Sequence, residues 1–169
     1  KYLNIAIIAP DNLYGQRILK KLNNYLINEN SKIIKKVLFD SLNPDFYEIA
    51  KEISNYEYRK NSLKKEIEKL KLLNTNYSNN KIKNLNKKDT LGKLDFEALI
   101  IAIENFEQLS LISSILPYYD VDQNDVQYLG TSVWNKNAAI KEPGLDNSVF
   151  VSINKNQIEV FNDLLSARF

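Results

Sequence analysis

Cysteine, histidine and methionine are all absent from the 169 residues, and tryptophan occurs once. Without cysteine there is no thiol nucleophile, no disulfide and no cysteine-type zinc site. Without histidine the chain lacks the commonest general base and the commonest metal ligand. Without methionine it opens at Lys1 and runs at once into an apolar segment. We therefore read it as a piece of a longer protein, upstream of which a signal peptide or lipid anchor has room to lie. No apolar run approaches the roughly 20 residues that span a bilayer. The phosphate-binding patterns GxxxxGKS/T and GxGxxG and the hydrolase elbow GxSxG are missing too. Asp40 is a lone acid after a strand, the pair Asp120 and Asp122 reads as solvated in a loop, and Glu104 has no identifiable group to orient it as a base. We expect no catalytic residue, no metal and no cofactor, and a binding or regulatory module rather than an enzyme.

With 44% hydrophobic and 26% charged residues, the composition is that of an ordinary globular domain, and the length fits one domain over 1–169. The net charge of +2 conceals an asymmetry. Ten lysines and three acids fall between Lys60 and Lys93, whereas seven acids and no basic residue fall between Leu94 and Asn135. The basic stretch reads first as a solvated helix and loop. A basic arm beside an acidic face is also a means of recruiting an anionic partner. Aromatics able to stack on bases are scarce there, chiefly Tyr77, so nucleic acid is not an expected partner.

NIAIIAP (4–10) is a continuous apolar run, as in a strand buried on both faces of a parallel sheet. Tyr14, Ile18, Leu22, Tyr25 and Leu26 then recur at helical spacing, with Asp11 or Asn12 as cap. Gly15 costs helix propensity in the first turn, but its missing side chain permits close approach of a neighbour or a ligand. SKIIKKVLFD (31–40) reads as a second strand whose lysines suit a sheet edge. Asn43 as cap and Pro44 at the first helical position open one long amphipathic helix, or two in series, through Ile49, Ile53, Tyr56, Leu63, Ile67 and Leu70. The Asn-rich stretch 74–93 reads as a loop, so about 60–93 forms a Lys- and Asn-rich helix and loop insertion. FEALIIAI (96–103) is another buried strand. The helix after it has Asn105 and Gln108 placed as in a capping box and is ended by Pro117. VQYLG (126–130) and SVFVSI (148–153) are short strands. NQIEVFNDLLSARF (156–169) closes as a helix with Ile158, Phe161, Leu164 and Leu165 on one face.

This alternation predicts an α/β fold: a parallel five-stranded sheet with helices on both faces and strand order 2-1-3-4-5. Such sheets bind ligands at the carboxyl ends of their strands, near the switch in strand order. The segments 10–15, 104–106 and 130–135 meet at that edge. The candidates for a ligand cleft or an interface are therefore Asn12, Tyr14, Gly15, Glu104, Asn105, Thr131, Ser132 and Trp134. The indole has two readings: a rigid apolar face on the rim, or a plug folded back over the sheet end.

APDNLYGQRILKKLNNYL followed by KKVLFD resembles the start of the second lobe of type I periplasmic binding proteins, where a strand leads to a YG at the head of a helix. NPDFYEIAKEI, YEYRKNSLKKEIEKL, LDFEALIIA, ILPYYDVDQNDVQYLGTSVWN and EPGLDNSVFVS are similar to a narrower group, the penicillin-binding protein activator lipoproteins. These stretches cover most of residues 4–152 in the expected order. The resemblance implies one lobe of a type I periplasmic binding protein-like fold, with a ligand cleft between two lobes. It implies a periplasmic setting with an outer-membrane lipid anchor, so that any membrane attachment comes through that anchor. For the activator group it implies regulation of peptidoglycan synthesis by contact with a penicillin-binding protein or another periplasmic protein. The transport relatives instead capture amino acids or similar small solutes for an ABC importer. The segment from Asn61 to Lys93 is longer than the simple helix-to-strand link of a transport receptor, which favours the activator group.

Overall fold

The computed structural model describes residues 2–135, 139 and 141–152. Among them five strands, β1 (Asn4–Pro10), β2 (Lys32–Phe39), β3 (Ala98–Ile101), β4 (Gln127–Gly130) and β5 (Val149–Phe150), are interleaved with helices α1 (Leu13–Leu26), α2 (Phe46–Ile53), α3 (Tyr56–Leu73), α4 (Asn76–Leu85) and α5 (Phe106–Ile115). Every strand pairing is parallel and the order is β2-β1-β3-β4-β5, so the expected fold class and strand order are those observed.

The side-chain period of two explains the sequence pattern. Along β1, Ala6 and Ile8 enter one core with Phe39, Leu99 and Ile101, beneath α2 and α5. Ile5, Ile7 and Ala9 enter a second core with Ile100 and Ala102, beneath α1. Both faces are covered, so both sets are apolar and the strand reads as one unbroken run. Each fully buried Ile or Leu contributes about 1.5–3 kcal/mol. β2 lies at the edge, where Lys32 and Lys36 are exposed. An extra residue on β2, between the partners of Ile5 and Ala6, makes a bulge there.

Two expectations are corrected. The helix after β2 is capped by Asp45, not Asn43: the Asp45 carboxylate accepts the Glu48 N–H at 3.0 Å, and the helix begins at Phe46. Asp45 sits three residues before that donor, the reach of an N-cap. The stretch 74–93 is not all loop, because α4 occupies Asn76–Leu85. Thr75 and Ser78 form a reciprocal capping box that launches it, and Ile82 and Leu85 pack on Leu63, Ile67 and Leu70 of α3. The insertion thus carries a small core of its own. Asn55, in the left-handed conformation with φ 51°, separates α2 from α3. The expected closing helix at 156–169, and residue 153 of the last expected strand, lie outside the described residues.

Candidate functional site

Parallel strands put Pro10, Phe39, Ile101 and Gly130 on one edge of the sheet. The chain leaves β1 toward β2 on one side and β3 toward β4 on the other, so a crevice opens between those connections. Asn12 caps α1. Its Oδ1 accepts the backbone N–H groups of Tyr14 at 2.9 Å and Gly15 at 3.1 Å, and its Nδ2 donates to Ser41 Oγ at 3.1 Å in the loop after β2. Tyr14 reaches the other way: its Oη and Thr131 Oγ1 share a hydrogen bond of 3.0 Å. Asn105 caps α5 by accepting the Gln108 N–H at 3.1 Å. The Gln108 amide does not close the capping box but donates to the Ser41 carbonyl at 3.4 Å.

Burial raises the Tyr14 hydroxyl above its ordinary value; the bond to Thr131 pulls it down and the nearby Glu104 carboxylate adds to the rise. Tyr14 is therefore a neutral hydroxyl at physiological pH. Asn12, Tyr14 and Thr131 are half-buried, whereas Glu104, Asn105 and Ser132 are exposed. The rim offers hydroxyls, amides and the Glu104 carboxylate, with the exposed Asp11 and Asp40 at the ends of β1 and β2 on the same edge. Two helix amino ends, of α1 and α5, point to the same edge and favour negative charge.

Two of the eight candidates lie inside the molecule. Gly15 is buried, and a Cβ there would sit 2.0 Å from the Pro10 carbonyl oxygen, so the close approach is that of the end of β1. Trp134 is 1% exposed and belongs to the core beneath α2 and α5. Its ring covers Gly130, where a Cβ would lie 2.2 Å from the indole Cδ2. The indole is thus folded over the sheet end and does not stand on the rim beside Tyr14. Ser41 joins the rim without having been singled out in the sequence. The signal available was the order 2-1-3, which makes the loop after β2 a neighbour of the loop after β1.

At the opposite, amino end of the sheet lies a cavity of about 580 Å³. Arg59 and three lysines face four carboxylates there, so its charges neutralise one another. Arg59 organises this end: its Nη2 donates to Asp120 Oδ2 at 3.1 Å and to the Gly92 carbonyl at 3.2 Å.

No family model and no curated protein matches the chain. Among solved structures it is similar to the branched-chain amino acid transporter substrate binding protein LivJ from Streptococcus pneumoniae, crystallised in complex with isoleucine. The identity is 12% and the TM-score 0.47, over 99% of this chain and 38% of that one. The chain thus spans well under half of that protein's length. No helix among the described residues is long and apolar enough to cross a membrane.

Proposed function

We propose that this chain is one lobe of a two-lobed, type I periplasmic binding protein-like receptor, acting by binding and not by catalysis. The observation that carries the reading is the Tyr14–Thr131 bond, which joins the first turn of α1 to the loop after β4 across the end of β3. The ligand class that suits this rim is a small solute of the amino-acid type. Glu104 presents an exposed carboxylate to an ammonium group, and the amino ends of α1 and α5 favour a carboxylate. One wall alone cannot exclude water from both sides of a ligand, so the isolated lobe binds such solutes poorly. The test is calorimetry of the two-lobed protein against a panel of L-amino acids. Saturable micromolar binding that Glu104→Gln weakens supports the reading, and a flat response across the panel removes it.

A second reading is favoured by the α3–α4 hairpin. It has its own small core, presents Leu72, Leu73 and Tyr77 to solvent, and lies in the lysine-rich stretch. In this reading the protein is a periplasmic regulator of peptidoglycan synthesis, held to the outer membrane by an upstream lipid anchor, and the hairpin contacts a penicillin-binding protein. Adding the two-lobed protein to a purified peptidoglycan synthase separates the two. A changed rate that disappears with Leu72→Ser/Tyr77→Ser supports regulation, while an unchanged rate with no co-purification excludes it.

A further inference from the structure

The turn between α3 and α4 carries three side chains that the hairpin's small core leaves outside. Leu72 is 87% exposed, Leu73 63% and Tyr77 74%. Asn74, Thr75 and Asn76 between them are exposed and uncharged. Lys81 Nζ lies 3.0 Å from Glu66 Oε1, so the two helices fold back on each other and this turn is the tip of the hairpin. Arg59 fastens the other end to the lobe, about 21 Å away along α3. From Lys69 to Lys88 the chain has six lysines and no acid. Lys69, Lys71 and Lys83 are exposed and form no ion pair among the described residues. Each lies within about 9 Å of Leu73 or Tyr77 along its helix, roughly one Debye length at physiological salt. Along the hairpin, Glu68 is the one unpaired acid within the same reach. The reciprocal Thr75–Ser78 bonds already satisfy two backbone N–H groups of the turn, which lowers the cost of taking it out of water.

We propose that the tip of the α3–α4 hairpin docks on the surface of an anionic phospholipid bilayer. Leu72, Leu73 and Tyr77 enter the acyl boundary, and Lys69, Lys71 and Lys83 meet the headgroup phosphates. A bilayer takes both parts of such a tip, its apolar end and its basic collar. A protein partner suits it less. Lysine is depleted from protein interfaces, and three side chains on one turn cover far less than the roughly 1,000 Å² of a specific contact. The docking needs neither the solute cleft nor an attached lipid. It claims the surface that the regulatory reading gives to a penicillin-binding protein, and experiment separates the two.

The test sediments the 169-residue chain with vesicles of phosphatidylcholine, alone or with phosphatidylglycerol added. The expected result is saturable, reversible binding to the anionic vesicles at roughly 0.1 mM lipid, the strength of one weak anchor. Binding to phosphatidylcholine alone is at least about tenfold weaker, and high salt releases the protein. Leu72→Ser/Leu73→Ser weakens binding at least about tenfold, and Lys71→Gln/Lys83→Gln does so roughly tenfold. Lys87→Gln/Lys88→Gln removes the same charge at the far end of the hairpin and changes binding less than about twofold. Tyr77→Trp adds an emission that moves to shorter wavelength on anionic vesicles, against the buried Trp134. No binding, equal binding to both vesicles, undiminished binding by Leu72→Ser/Leu73→Ser, an equal loss in Lys87→Gln/Lys88→Gln or an unmoved Tyr77→Trp emission overturns the proposal. So does capture of a purified peptidoglycan synthase through Leu72 and Tyr77 without vesicle binding, which gives the turn to a protein partner. Thermal melts establish that each variant is folded when it is measured.

Discussion

Tyr14 Oη and Thr131 Oγ1 lie 3.0 Å apart although 117 residues separate them. Their strands are not neighbours, since β3 runs between β1 and β4. The bond therefore ties the first turn of α1 to the loop after β4 across the end of a third strand. Tyr14→Phe removes only the hydroxyl. The expected cost is about 0.5–1.5 kcal/mol, read as a lower urea midpoint at unchanged m. Amide exchange in 131–135 should quicken while the centre of β1 is unaffected. Equal exchange in the two proteins would mean that solvent replaces the bond without loss.

Gly130 and Trp134 form the second constraint at this edge. A methyl at position 130 meets the six-membered ring of the indole, with Cδ2 at 2.2 Å and Cε3 at 2.3 Å from the Cβ position. Neither group yields cheaply, because the ring is 1% exposed and packed in the main core. Gly130→Ala should cost about 1–3 kcal/mol, the range for overpacking. Tryptophan emission should move to longer wavelength as the displaced ring meets water. Retention of both midpoint and emission maximum would show that the ring has somewhere else to go.

Sequence and structure agree where burial is two-sided and part company where packing decides. The strand order followed from apolar runs such as NIAIIAP and from the lysines that mark β2 as an edge, and both are local signals. A cap at Asp11 or Asn12 was legible because both side chains precede a helical repeat, and the structure places it at Asn12. Helix α4 was not, for its apolar residues are few among asparagines and lysines, and its capping box has Ser78 where Glu or Gln is the usual mark. Ser41 follows no glycine turn, and it reaches the rim only because β2 is the neighbour of β1. For Trp134 the four-residue step from Gly130 suits an exposed ring as well as a folded-back one. Only the room above Gly130 distinguishes them, and that room is a property of the assembled core.

Tyr128 should set the alkaline limit of stability. It is fully buried, and its hydroxyl donates to the Val121 carbonyl at 2.6 Å. Burial, and then the Asp122 carboxylate, raise its pKa far above the ordinary 10.0. The folded state thus holds this proton more tightly than the unfolded chain does. The resulting stability is fully present below pH 10 and drains away as pH rises from there toward the folded value. Within that window one such group contributes a slope of up to about 1.4 kcal/mol per pH unit. Tyr128→Phe should be less stable at neutral pH by about 1–3 kcal/mol, since the Val121 carbonyl loses its donor. It should also lose stability less steeply in urea titrations above pH 10. Parallel lines for the two proteins in that range would assign the alkaline transition to other tyrosines.

Arg59 should decide whether the insertion moves with the lobe. Its side chain is 10% exposed, against 44% for its partner Asp120. Nη1 donates to the Ser54 carbonyl at 3.5 Å, and Nη2 to Gly92 and Asp120. Thr90 Oγ1 donates to the same Asp120 oxygen at 2.6 Å, and the Leu91 N–H donates to the Arg59 carbonyl at 3.1 Å. One guanidinium thus fastens the end of α2, the segment after α4 and the turn after α5. A lysine has one nitrogen and cannot span three acceptors in a fixed plane. Arg59→Lys should therefore speed amide exchange in residues 88–94 and leave β1 and β3 protected. Arg59→Ala should in addition lower global stability by about 1.5–3 kcal/mol, the range for charge-assisted bonds. Asp120→Asn should cost less, because its partly exposed carboxylate is screened by solvent and the Ser54 and Gly92 bonds survive. If Arg59→Lys and Asp120→Asn exchanged alike along 88–94, the ion pair alone would be holding the segment, and the two carbonyl contacts would carry no weight.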